Sequence, residues 1–303
     1  MLTRVLPATL LSLTLFQTAF AQRPIRLQRD TSQLHFTVIE YFPLVDATVN
    51  GIKGKVMFDT GNEKAFSFND HLVKQGGGIK IGPGFAGSGE SYDVYRYDTI
   101  QQVLIGNMLK YENNGPANGY NLSFLEALTP DFLGFLGYDF FKGYLFKMDY
   151  KKGLITFYKS TSGRKDFLKG EKVIGVLDFT TGKLPNHPVV HVKVGGVDMI
   201  GLFDTGQLGA IYLSDSLRKV LTDKQVIVPG ADPGLVSLNS IELAGGFSVA
   251  LDQVYNSPAN NAQGFKQAMG ITEENILSIG YSFLKQYKTV WDFETGKLYL
   301  LLL

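Results

Sequence analysis

The chain contains no cysteine. It therefore forms no disulfide, carries no thiol nucleophile and offers no cysteine ligand to zinc. Its fold must rest on a hydrophobic core, which a length of 303 residues permits. An excess of charge is missing too: 29 basic and 28 acidic side chains leave a formal +1. Such a balance gives no footing for binding nucleic acid or an anionic membrane surface. Tryptophan occurs once, whereas 15 Tyr, 22 Phe and 34 Gly favour strands and tight turns. Beyond the N-terminus no apolar run is long enough to cross a bilayer. Nothing resembles the G-x-S-x-G turn of a serine hydrolase.

The N-terminus reads as a secretory signal over residues 1–21. Arg4 supplies the basic start, residues 10–16 the apolar centre, and Ala19-Phe20-Ala21 a small-x-small cleavage site. Gln17 and Thr18 interrupt the run and make it short for a membrane anchor. The expected mature chain begins at Gln22, is exported to the periplasm or the exterior, and has no membrane attachment after cleavage.

What the chain has is a repeat. Phe58-Asp59-Thr60-Gly61 returns as Phe203-Asp204-Thr205-Gly206, 145 positions later. Each copy follows an apolar run that reads as a buried strand, with Asp-Thr-Gly as the loop at its end. Upstream, the hairpin dipeptide Asn50-Gly51 matches Gly195-Gly196, between strands expected at 47–49 and 55–58 and at 189–194 and 199–203. Downstream, Gly137-Tyr138-Asp139-Phe140-Phe141-Lys142-Gly143-Tyr144 matches Gly280-Tyr281-Ser282-Phe283-Leu284-Lys285-Gln286-Tyr287. Asp149 and Asp292, each four residues before a glycine, read as turn formers. Two self-similar, mainly β units are an internal duplication. Residues 161–186, rich in Lys, Gly and Thr, read as the connection between them. Short helices are expected at 72–75 and 216–223.

Residues 76–89 hold seven glycines and a formal G-x-G-x-x-G from Gly82 to Gly87. A dinucleotide fingerprint should follow a strand and open a helix. Here the Tyr-rich residues 91–100 follow, so the segment reads as a mobile hairpin tip.

Two equivalent acidic loops can bring two carboxylates face to face in a cleft. Like charges a few ångströms apart cannot both ionise easily, so the pair shares one proton. The ionised member can take a proton from water while the protonated member polarises a carbonyl. That is amide hydrolysis without a covalent intermediate.

On these residues the chain resembles the two-lobed aspartic proteases of the pepsin and retropepsin group, in a bacterial exported form. The resemblance rests on Asp59-Thr60-Gly61, Asp204-Thr205-Gly206, and the later runs Phe135-Leu136-Gly137 and Ser278-Ile279-Gly280, the second of which opens the family's G-x-x-F-L-x-x-Y at Gly280 to Tyr287. It implies an all-β bilobal fold with a few short helices, an N-terminal lobe over 22–165 and a C-terminal lobe over 166–303. It implies Asp59 and Asp204 as the catalytic pair and Thr60 and Thr205 as hydrogen-bonded ties between the loops. Gly61 and Gly206 would permit the tight turns. The substrate-binding flap would fall at Phe85, Ala86, Gly87, Ser88 and Gly89, with Tyr92 as an alternative source of the aromatic hydroxyl that pepsin-like flaps carry. The implied activity is cleavage of peptides or proteins by a monomer, without metal or cofactor. Asn62 and Gln207 stand where the family has Ser, Thr or Ala; an Asn amide can donate to the Asp in place of the hydroxyl. The alternative function is a protease-like protein that binds peptides or another polymer in its cleft without cleaving it.

The histidines are His35, His71, His187 and His191. His187 and His191 have the spacing of a helical metal site, but Pro188-Val189-Val190 reads as a strand, on which the rings stand about 13 Å apart.

Overall fold

The computed structural model describes residues 24–85, 91–106, 108–161 and 164–303. The expected signal peptide and the tip residues Ala86, Gly87, Ser88 and Gly89 lie outside them. Among the described residues no helix is long and apolar enough to cross a membrane.

Strands organise into three sheets. One of ten strands is built from the first half and one of eight from the second. Each contains one Asp-Thr-Gly loop at the end of a buried strand, Ile52–Phe58 or Val197–Phe203. The third sheet has six strands and draws on both halves. At its centre Tyr144–Asp149 pairs antiparallel with Lys288–Asp292, so corresponding strands of the two repeats meet there. The result is a bilobal, mainly β fold with the Asp loops at the lobe boundary.

The expected hairpins form. Asn50 and Gly51 have φ of 48° and 84°, and Gly195 and Gly196 have 57° and 81°. Positive φ at both central positions is the turn that matches strand twist. Asp149 Oδ1 accepts from the Lys152 N–H, and Asp292 Oδ1 from those of Glu294 and Thr295. Both acids are turn formers, as their spacing suggested. Ile79–Phe85 and Ser91–Tyr97 are antiparallel strands, so the glycine-rich motif opens no helix.

Two sequence expectations fail. The helix near 216–223 forms, as Asp215–Asp223, but 72–75 is turn and coil. Within the supposed connection, Val173–Asp178 is a strand on the edge of the six-stranded sheet, paired with Lys297–Leu301. Its side chains are mostly exposed or half-buried, so the strand leaves no hydrophobic alternation to read.

The core explains why the Asp loops are rigid. Phe58 and Phe203, each immediately before an Asp, are fully buried. Phe58 packs edge-on to Phe146 at 5.1 Å, Phe146 stacks on Trp291 at 5.4 Å, and Phe203 meets the same Trp291 at 6.0 Å. The single tryptophan thus sits where the repeats converge. Each of these rings contributes about 2–3 kcal/mol by burial alone.

One ion cluster ties the same place. Glu171 Oε1 pairs with Lys147 at 2.9 Å, and its other oxygen pairs with Lys288. The lysines belong to the two central strands, one from each repeat. Burial alone would raise the Glu171 pKa, but hydrogen bonds and charge from Lys288 and Lys147 outweigh it and hold the carboxyl below the usual range. Glu171→Gln is expected to lower stability by about 2 kcal/mol at neutral pH, the scale of lost charged hydrogen bonds. A depressed folded pKa adds stability above the unfolded carboxylate value, and that stability is lost as pH falls through the folded value. Melting curves of wild type and variant should therefore converge in acid.

Candidate active site

Each Asp loop is set by a parallel strand pair. Phe58 lies opposite Leu136, and the Asp59 N–H donates to the Leu136 carbonyl at 2.9 Å. In the second copy Phe203 lies opposite Ile279, and the Asp204 N–H donates to Ile279 at 3.0 Å. The glycines that follow allow the close approach. A Cβ on Gly137 would stand 2.2 Å from the Asn62 carbonyl oxygen, and one on Gly280 2.1 Å from that of Gln207. The two runs thus pack beneath the Asp loops and close them.

The loops clasp each other. Thr60 N–H donates to Thr205 Oγ1 at 3.0 Å, and Thr205 N–H donates to Thr60 Oγ1 at 3.0 Å. Thr205 Oγ1 in turn donates to the Phe58 carbonyl at 3.0 Å. Both threonines are fully buried. The clasp seats each carboxylate over the opposite glycine: a Cβ on Gly61 would lie 2.6 Å from Asp204 Oδ2, and one on Gly206 2.3 Å from Asp59 Oδ1. No side chain fits there, which is why both positions are glycine.

Donors are unevenly shared. Asp204 Oδ1 accepts from Gly206 N–H at 2.8 Å, Gly61 N–H at 3.1 Å and Thr60 Oγ1 at 3.4 Å. Asp59 Oδ1 accepts from Gly61 N–H at 2.8 Å. Burial, then the neighbouring charge of Asp204 and a hydrogen bond to it, push the Asp59 pKa well above the carboxylate range; backbone donors Gly61 and Asn62 oppose this. Donors favour negative charge, so the shared proton belongs on Asp59.

Asn62 does not take the place of the family hydroxyl. Its side-chain oxygen accepts from the Lys64 N–H at 3.1 Å, a local turn bond. Its help to Asp59 comes from the backbone. Gln207 is half-buried and contributes its carbonyl, which accepts from Tyr281 N–H at 2.8 Å.

Phe85 ends the strand Ile79–Phe85, short of the tip. On the opposing strand Tyr92 lies across from Gly84 and packs on Tyr120 at 5.0 Å. Its hydroxyl pKa is pushed up to about 12 by burial, then by Tyr120 and Asp59. The phenol therefore lies within electrostatic reach of the dyad. Tyr92→Phe is expected to lower kcat/KM for a peptide about tenfold with little change in melting temperature, since it deletes one hydrogen-bonding group and keeps the ring.

Sequence reasoning missed Asn186. It is 1% exposed and donates its amide to the carbonyls of Thr60 at 3.0 Å and Gly61 at 2.8 Å. A second-repeat residue thereby holds the first Asp loop. A signal existed: at the repeat offset, Asn186-His187-Pro188 aligns with Tyr41-Phe42-Pro43, so polar residues replace aromatic ones. Among the described residues no cluster of His, Asp or Glu has a metal-binding arrangement.

Fold and site together define a pepsin-like, two-lobed aspartic-protease fold in which two Asp-Thr-Gly loops face each other. Among solved structures the chain is similar to basic 7S globulin from soybean, with a TM-score of 0.53 over 92% of this chain and 95% of that one. Identity is 8%, so the likeness carries the fold alone. No protein-family model matches the sequence, and no curated protein is similar to it by sequence.

Proposed function

We propose that the protein is an exported aspartic-type endopeptidase that cleaves peptides or proteins. The observation that carries this is the mutual Thr60–Thr205 clasp, which seats two carboxyls over opposing glycines; the raised pKa of Asp59, from burial and the neighbouring Asp204, makes it the member that carries the proton in this scheme. A water held between the carboxyls loses a proton to Asp204 and attacks the scissile carbonyl carbon. Asp59 gives its proton to the carbonyl oxygen. The tetrahedral diol collapses as the amine nitrogen takes a proton from Asp204 and Asp59 recovers one from the diol hydroxyl, so protons balance over the turnover. Water is the only co-reactant, and no cofactor is called for. One chain supplies both loops, so the monomer suffices. Export follows from the N-terminal signal pattern, and the mass of the mature chain, starting at Gln22, tests it.

The functional test is a mixed peptide library incubated with purified mature protein from acid to mildly alkaline pH, beside Asp59→Asn. A hydroxyl-containing transition-state mimic is included in parallel. Cleavage lost in the variant and blocked by the mimic supports the reading. Folded protein that cleaves nothing at any pH overturns it in favour of a non-cleaving peptide-binding cleft.

A further inference from the structure

A single N–H, that of Gly61, reaches both carboxyls: it donates to Asp59 Oδ1 at 2.8 Å and to Asp204 Oδ1 at 3.1 Å. Its counterpart, Gly206 N–H, donates within its own loop to Asp204 Oδ1 at 2.8 Å. The aim of the Gly61 N–H is set by the plane of the Thr60–Gly61 peptide. In a trans peptide the C=O and N–H point in opposite directions. The carbonyl of that unit, on Thr60, accepts from the Asn186 side-chain amide at 3.0 Å. Asn186 thus holds one side of the peptide whose other side faces the Asp pair. Its second bond, 2.8 Å to the Gly61 carbonyl, holds the next peptide unit, whose Asn62 N–H closes the turn on the Asp59 carbonyl at 3.2 Å.

Packing alone does not call for an amide here. Asn186 lies in the turn before Pro188–Val194 and is almost wholly buried. Among the described residues its Oδ1 has no hydrogen-bond partner. An unpaired buried oxygen is unfavourable unless the rest of the group is used. Turning the amide over would set that oxygen against two carbonyl oxygens, so the two donated bonds fix its orientation. The position therefore tolerates one orphan oxygen and satisfies two consecutive carbonyls of the other repeat. In the first repeat the counterpart is Tyr41, whose hydroxyl bonds instead to that of Tyr255 at 3.1 Å. The two repeats thus use equivalent positions differently, and Asn186 is the one that reaches an Asp loop.

We propose that Asn186 is a positioning residue of the Asp pair: by holding the Thr60 and Gly61 carbonyls it aims the Gly61 N–H at both carboxyls. The proposal rests on the reading of Asp59 and Asp204 as a catalytic dyad. Asn186 acts through the backbone and not on substrate. The placement of the carboxyls and of the donor between them governs the proton transfers, which are made only on the way to the transition state. Losing the amide should therefore fall on kcat and leave KM in place.

The test compares wild type with Asn186→Leu and Asn186→Ser in the purified mature protein. Leucine is close to asparagine in size and has no donor. Serine keeps one donor and forces no apolar group against the two carbonyls, so it carries the test if the leucine variant does not fold. Peptide cleavage should lose about 100-fold in kcat with leucine and about tenfold with serine, with KM within about twofold of wild type. Backbone amide hydrogen exchange, followed by NMR, reads the positioning directly. Gly61 N–H should exchange about tenfold faster or more in both variants, while Gly206 N–H keeps its wild-type protection. A general loosening of the fold would speed both amides alike, and that result overturns the proposal. So does wild-type protection of Gly61 in a folded variant, or an unchanged kcat. If wild type cleaves nothing, the protease reading falls, and the comparison of Gly61 with Gly206 alone decides whether Asn186 aims the N–H.

Discussion

Asp204→Asn is expected to reduce peptide cleavage by about 10³-fold, the loss of a positioned general base, and to leave the protein folded. The amide oxygen of Asn can still accept from Gly61, Gly206 and Thr60, the donors that reach Asp204 Oδ1. What disappears is the group that takes the proton from water. Stability should change in the opposite sense. Asp59 has a raised pKa in the fold, caused by burial and then by Asp204. Such a group adds stability that is fully present below the ordinary carboxylate pKa and is lost as pH rises through the raised value. In Asp204→Asn the charged neighbour is gone, so that loss shrinks. At neutral pH the inactive variant should melt no lower than wild type. Paired measurements of kcat and melting temperature from pH 3 to 8 would check both halves; a variant retaining full activity removes the two-carboxylate mechanism.

Thr205→Val should have the largest effect on stability of any single atom exchange in the site. The two side chains have nearly the same shape, so the loss is of hydrogen bonds and not of packing. Thr205 Oγ1 accepts from Thr60 N–H and donates to the Phe58 carbonyl. Both partners are backbone groups in a buried loop, and valine leaves both unpaired. Two unsatisfied buried groups cost about 2–5 kcal/mol together, or roughly 10 °C in melting temperature for a chain of this size. Activity should fall as well, because the same bonds fix the separation of the carboxyls and small misplacements are expensive in rate. Thr205→Ser, which keeps the hydroxyl, should recover most of both. A valine variant with wild-type melting and wild-type rate would show that the clasp is incidental to the site.

Much of this site was written in local spacing. A duplicated unit repeats its turns and its acids, so Asn50-Gly51 with Gly195-Gly196, and Asp149 with Asp292, could be matched by counting. The glycines at 137 and 280 also stand out at fixed distance. Their reason is steric, since no other residue passes the Asn62 and Gln207 carbonyls. What failed to show was whatever one repeat does to the other. Glu171 looks like one charged residue in a polar connection until Val173–Asp178 joins the sheet edge and brings it between Lys147 and Lys288. Asn62 looked like a substitute donor, but its side chain is turned into its own loop, where its oxygen accepts from the Lys64 N–H. Tyr92 was legible only as an alternative, because the register of a glycine-rich hairpin is weakly specified by its sequence.

The sequence by itself determined the two acidic loops, the strands that carry them and the pairing of repeat with repeat, because period, turn chemistry and duplication are properties of neighbours along the chain. The tertiary structure alone decided which oxygen gathers donors, how the two threonines clasp, and that Asn186 of one repeat holds the Asp loop of the other. Those outcomes depend on distances of about 3 Å between residues more than a hundred positions apart, and no local pattern encodes them.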